Sequence, residues 1–213
     1  QRRLYWADIP TGRMFRYDPN SGKHEQFYDG DVVSGFTIQA DGSLLLFMAR
    51  GRVASWRDSE LTDIIDELPG EEGNRFNDVI ADSAGRVFCG TMPLEPHRGG
   101  EMAGTLYRLD TDGSVTTILT GLGISNGMGF TLDLQGVYFT DTVTRKISHF
   151  DYDESTGRIT DQRVVVETPE GEGAGPDGMT VDVEGYLWSA RYDGGALYRY
   201  SSDGEEERRI DFP

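Results

Sequence analysis

An all-β fold of the β-propeller type is predicted by three features of the sequence. Short β-rich runs recur every 40 to 50 residues, aromatic and β-branched residues alternate with polar ones, and Asp-Gly pairs punctuate the spacing. The first runs of the units are 4–8, 44–48, 87–91, 137–141 and 187–191, which start 40, 43, 50 and 50 residues apart. Each is followed by a second run, at 14–18, 53–57, 105–110, 147–151 and 196–200, which reads as a half-buried antiparallel strand because its apolar residues keep a period of two. A third element precedes the first in four units, at 36–40, 79–82, 128–132 and 179–182, and a fourth closes several, as at 115–119 and 163–166. Asp-Gly at 29–30, 41–42, 112–113, 177–178, 193–194 and 203–204 favours tight reversals. Four antiparallel strands per unit make a propeller blade, and about five blades are represented. The first unit lacks its inner strand and the last stops where a further one would begin, so the expectation is a single propeller domain over 1–213 that is truncated at both ends.

Composition excludes several function classes. With 37 acidic and 20 basic residues among 213, the net charge is −17, a field that repels a phosphate backbone and argues against nucleic acid as a partner. The acid excess reads as a solvated surface. Mean hydropathy is −0.49, and no apolar run approaches the roughly 20 residues that cross a bilayer. The N-terminal residues carry no apolar signal core, so the cytoplasm is the expected compartment, with export of a longer precursor left open. Cys89 is the single cysteine, so no internal disulfide forms, and oligomeric state is not legible.

Propeller blades are related by rotation about a channel, so equivalent positions form a ring around it. Just before the third-element strand, successive units carry Ser34-Gly35-Phe36, Asn77-Asp78-Val79, Asn126-Gly127-Met128 and Asp177-Gly178-Met179. Any one of these could merely shape a turn. Four oxygen-bearing side chains at one rotational position point instead to a shared site at the channel mouth, with donors suited to Ca²⁺, Mg²⁺ or Mn²⁺, and to Zn²⁺ at modest affinity.

The ordered segments 4–10, Asn74-Arg75-Phe76-Asn77-Asp78, 85–92, Ile124-Ser125-Asn126-Gly127-Met128, 150–153 with 156–159, and Pro176-Asp177-Gly178-Met179 resemble the senescence-marker-protein, regucalcin and gluconolactonase group of six-bladed propeller lactonases. The resemblance implies one divalent metal ion, Ca²⁺ or Zn²⁺ first and Mn²⁺ or Mg²⁺ as alternatives. Asn126 and Asp177 match the family's Asn and Asp ligands. Arg75 and Asn77 match its substrate-contacting Arg-x-Asn pair, and Glu95 falls where some members place another substrate contact. The family's third ligand, a Glu in a Gly-Glu-x-Pro-Val-Trp-like segment, belongs before Leu4 and is not in this sequence.

Other patterns are set aside. The acidic stretch from Asp151 to Gln162 imitates a calcium loop, but glycine stands seventh, Gln162 replaces the bidentate Glu, and strands flank it, so a hairpin turn is expected. His24, His97 and His149 occupy different repeat positions, Cys89 alternates as a small buried residue, and no Gly-x-Ser-x-Gly elbow is present. The tryptophans read as blade packing. The expected function is metal-dependent hydrolysis of a sugar-derived or related lactone, with Asp177 as catalytic base as well as ligand. A non-catalytic propeller that binds a partner or buffers calcium is the alternative.

Overall fold

The computed structural model describes residues 3–95, 102–171 and 175–212. It is all-β apart from a short 3₁₀ turn at Ile9–Thr11, and the chain divides into two compact units, Gln1–Phe76 and Asn77–Pro213. The strands form five antiparallel sheets, one of three strands and four of four, each with its strands in sequence order. These are the five blades expected from the repeats. A sixth blade of the six-bladed type is not among the described residues.

The first unit holds two blades. Strands β1 (Leu4–Asp8), β2 (Arg13–Asp18) and β3 (Lys23–Asp29) form the three-stranded sheet, and β4 (Val33–Ile38), β5 (Leu44–Met48), β6 (Val53–Arg57) and β7 (Glu60–Ile65) form the next. All five residues of β5 are buried, so alternation fails there. The reason is that a middle strand of a stacked sheet is covered on both faces. One face of β5, with Leu44, Leu46 and Met48, packs with Met14, Tyr28 and Val33, and Trp56 meets the Tyr28 ring edge-on at 5.1 Å. Each such large side chain, fully buried, contributes about 1.5–3 kcal/mol.

The second unit holds three blades. They are β8 (Asn74–Ala81, whose first residues belong to the first unit) with β9 (Val87–Pro93), β10 (Gly104–Leu109) and β11 (Val115–Leu122); β12 (Ser125–Phe130), β13 (Gly136–Asp141), β14 (Lys146–Asp153) and β15 (Arg158–Glu167); and β16 (Gly175–Val181), β17 (Leu187–Tyr192), β18 (Ala196–Tyr200) and β19 (Glu206–Asp211). Phe88, Leu106, Met128, Phe139 and Phe150 fill the layer between the first two of these sheets. Tyr138, Ile147, Val166, Leu187, Tyr198 and Tyr200 fill the layer between the second and third. Cys89 is buried within β9, and His149 is buried against Tyr138, while His24 is exposed on β3. His97 lies outside the described residues.

Turn chemistry follows the sequence. Gly42, Gly113 and Gly204 adopt φ of +85° at their Asp-Gly reversals, a conformation that L side chains rarely take. Asp177-Gly178 is different, because it lies inside β16 instead of a reversal. The stretch that imitates a calcium loop is the β14–β15 hairpin, and the Asp153 carboxylate is occupied by Ser155 and Thr156 of its own turn. That turn docks onto the neighbouring blade through Arg86, which is buried. Its Nε donates to Asp82 Oδ2 at 2.6 Å and its Nη2 to the Glu154 carbonyl at 2.5 Å. The Tyr152 hydroxyl donates to the same Asp82 oxygen at 2.9 Å, and burial, reinforced by Asp82, pushes its pKa up to about 12.

Asp182 plays a similar part at the β16–β17 turn. It accepts the N–H groups of Glu184 and Tyr186, Trp188 Nε1 at 3.0 Å and Arg199 Nε at 2.8 Å. Desolvation works to raise its pKa, but the hydrogen bond from Arg199, followed by those from Tyr186, Trp188 and Glu184, outweighs it and holds the carboxyl at about 2.

Two outcomes follow for stability. Arg86→Ala leaves the Asp82 carboxylate buried without its partner and should cost about 3–5 kcal/mol of unfolding free energy, read from urea midpoints; a loss below about 1 kcal/mol would show the cluster to be idle. Asp182 binds protons more weakly folded than unfolded, so its contribution is present above its ordinary pKa and lost as pH falls through the folded value. The wild-type protein should therefore lose stability more steeply than Asp182→Asn between about pH 4 and pH 2. Parallel pH curves for the two proteins would overturn that assignment.

Candidate functional site

The polar residues expected at the channel mouth lie at the beginnings of the inner strands, inside them instead of ahead of them, and the pairing slips there. Register shifts fall between Val33 and Gly35 on β4, Asn126 and Met128 on β12, and Pro176 and Met179 on β16. A bulge inserts an unpaired residue and re-aims its neighbours' side chains: Ser34 and Asp177 are themselves left out of the ladder, whereas Asn126 stays paired with Thr140 beside the unpaired Gly127.

Three inner strands of the second unit are tied together at this end. Asn77 Nδ2 on β8 donates to the carbonyl of Ser125 on β12 at 2.8 Å. Asn126 Nδ2 on β12 donates to Asp177 Oδ1 on β16 at 2.5 Å and to Thr142 Oγ1 at 3.2 Å. The Thr142 hydroxyl in turn donates to the Pro176 carbonyl at 2.7 Å. Gly127 permits the approach, since a Cβ there would come within 2.4 Å of Met179 N and 2.7 Å of the Asp177 carbonyl. Asn126 is buried, and Asp177 is half-buried.

Asp78 is the residue that the sequence reading passed over. Its Oδ1 accepts the N–H of Val79 at 2.8 Å, and desolvation, together with the nearby negative charge of Asp177, raises its pKa to about 6 despite that bond. The signal was present in the Asn77-Asp78 pair, but nothing local distinguishes a site carboxylate from a turn former. Thr142 gave no signal, because its role depends on a β13–β14 loop brought beside β16.

The donor set fits a hard divalent cation. The carboxyl of Asp177, that of Asp78 within reach of its charge, and the Asn126 amide beside Asp177 supply oxygen ligands, with no thiol or imidazole. Among the described residues no three His, Cys, Asp or Glu side chains gather to hold a metal, so the amide of Asn126 is needed to complete any set.

The remaining predicted residues stand differently. Arg75, in the first unit, donates through Nη1 to the Phe76 carbonyl at 2.9 Å and to Ser34 Oγ at 3.4 Å, and burial lowers its pKa. It alternates with Asn77 along β8. Glu95 is exposed two residues beyond the end of β9. A cleft of about 450 Å³ lined by Leu119, Phe139, Lys146 and Gln162 contains none of the predicted site residues.

The SMP-30/gluconolactonase/LRE-like region matches residues 1–213. Pentonolactonase XacC of Haloferax volcanii is 50% identical over 216 residues, which cover all of this chain and 70% of that protein. A solved luciferin-regenerating enzyme superposes with a TM-score of 0.91 at 28% identity, over 99% of this chain and 73% of that one. A structure described as a calcium-binding protein, regucalcin, from Agrobacterium tumefaciens gives a TM-score of 0.90 at 26% identity, over 99% and 70% of the two chains. Matched along its whole length and half identical to a lactonase, the chain belongs to the SMP-30/gluconolactonase/LRE-like family.

Proposed function

We propose that this chain is a hydrolase that opens sugar-derived lactones at the inner-strand ends of its second unit, using one divalent cation. The observation that carries the reading is the meeting of Asn126 and Asp177 across β12 and β16 beside the raised carboxyl of Asp78. Its support from relatives is the half-identical protein named pentonolactonase, which makes a five-carbon aldonic lactone the first substrate to try. Calcium is the first cation to try, given the calcium-binding regucalcin that superposes on this chain, and zinc is the second. The ring as a whole is proposed to be six-bladed, with these five blades as part of it.

Asn126, through its amide oxygen, and Asp177, through a carboxylate oxygen, would hold the cation. When bound, it supplies Lewis-acid stabilisation of the oxyanion that develops on the lactone carbonyl. The chain's own residues do the rest. The Asp177 oxygen that does not meet Asn126 takes a proton from the attacking water, whose oxygen bonds to the carbonyl carbon. As the ring C–O bond breaks, the same proton passes to the departing ring oxygen, leaving a hydroxy acid. Asn77 holds β12 in register by its bond to the Ser125 carbonyl, and Arg75 and Asn77 are assigned to orienting the substrate's oxygens. Glu95 is retained as a substrate contact on the family resemblance alone.

Proton release should be followed across a panel of aldonolactones with Ca²⁺, Zn²⁺, Mn²⁺, Mg²⁺ or chelator. Asp177→Ala and Asn126→Ala should each reduce metal-stimulated hydrolysis by two orders of magnitude or more and weaken calorimetric metal binding. Full activity with unchanged metal affinity in either variant would sink the site.

Arg75→Ala should retain metal affinity and change substrate kinetics, in KM if its contact is equal in ground and transition states and in kcat if it tightens only at the transition state. Asn77→Ala should do both in part, because it also frees the carbonyl of Ser125. A loss of metal binding in Arg75→Ala as severe as in Asp177→Ala would overturn its assignment to substrate and make it a support of the metal site's geometry, since a guanidinium has no lone pair to give a cation.

A further inference from the structure

Among the described residues of the second unit three arginines are deeply buried, and one of them differs from the others. Arg86 and Arg199 are 8% and 6% exposed, and both are neutralised: Arg86 by Asp82, and Arg199 by Asp182, Glu184 and Glu207. Arg191 is 5% exposed and has no carboxylate partner among the described residues. Its Nη2 donates to the Tyr200 hydroxyl at 2.5 Å, while Nε and Nη1 are buried with no hydrogen-bond partner. The guanidinium lies over the Tyr198 ring at 4.4 Å and near that of Tyr200 at 5.8 Å, both members of the apolar layer between the sheet of β12–β15 and the sheet of β16–β19.

We propose that Arg191 binds a halide-sized monovalent anion in this layer. Buried polar groups in native proteins are almost always satisfied, and a buried charge is costly unless it is also balanced. Aromatic faces attract the cation but accept no N–H bond in the guanidinium plane. A water molecule would fill the donors and leave the charge unopposed. A small anion answers both needs, by accepting the unpaired N–H groups and opposing the buried charge. A guanidinium also sheds hydration more readily than an ammonium, which suits it to a dry anion site.

The location gives the ion a structural consequence. Arg191 on β17 stands opposite Pro176 on β16, the residue before Asp177. Occupancy would brace the strand pair that carries the candidate catalytic carboxylate. The proposal is independent of lactone hydrolysis and stands or falls on binding alone.

The test uses the 213-residue chain. Thermal unfolding is followed as chloride or bromide replaces sulfate at constant ionic strength, in wild type, Arg191→Met and Arg191→Lys, and wild-type crystals are soaked in bromide. The expected result is a saturable rise in wild-type Tm of a few degrees with halide that Arg191→Met lacks, as expected for a ligand that binds only the folded state. Arg191→Lys should keep the response with weakened affinity, and an anomalous bromide peak should lie within hydrogen-bond reach of Nε or Nη1. If Arg191→Met does not fold, the lysine variant and the bromide peak decide. A wild-type Tm indifferent to halide, an equal response in a folded Arg191→Met, or an ordered water with no bromide signal at Arg191 would overturn the proposal.

Discussion

The candidate site rests on one close approach of backbone to backbone. At Gly127 the β12 strand comes so near β16 that any side chain would meet Met179 N at 2.4 Å and the Asp177 carbonyl at 2.7 Å. That proximity lets the short side chains of Asn126 and Asp177 touch across two blades. Two bulges share in the result. The pairing of β12 slips at Gly127, beside the still-paired Asn126, and that of β16 slips at Asp177 itself, so both irregularities fall at the same end of their strands. Glycine is demanded here by space, not by backbone conformation, because Gly127 is not among the glycines with positive φ.

Charge is handled in two ways in the second unit. Where a carboxylate serves structure, an arginine or a set of N–H groups answers it: Asp82 with Arg86, Asp182 with Arg199, and Asp141 with the backbone of Gly123, Ile124 and Val143. Asp78 and Asp177 have no basic side chain as an ion-pair partner among the described residues, and burial, with the charge of Asp177 added, pushes the Asp78 carboxyl upward. Carboxyl groups in a partly buried setting without a basic partner mark places where a cation is expected to complete the balance. Arg191 is the opposite case, a buried cation with no carboxylate partner among the described residues.

The hairpin that imitates a calcium loop shows why short acidic patterns mislead. Its Asp153 carboxylate is consumed by its own turn, that of Glu154 accepts the Ser83 hydroxyl, and its backbone carbonyls are taken by Arg86 and Arg108 of the adjoining blade. Flanking strands in place of helices were the decisive sign in the sequence, since a ligand loop needs its carboxylates directed inward and free.

Strand periodicity, Asp-Gly turns and the repeat length were enough to predict five blades, because a strand's alternation and a turn's φ are set by neighbouring residues. The repeat also placed Asn126 and Asp177 at equivalent positions, and rotational symmetry converts such equivalence into proximity. What the sequence could not supply was the outcome at each position. Asp177-Gly178 became a bulge and not a reversal, β5 lost its alternation, and Asp78 proved to be an interacting carboxyl although it reads locally as a turn residue. Those differences share a physical reason: burial, register slips and the field of a carboxylate roughly 100 residues away in the chain are properties of stacked sheets, decided only when the blades pack.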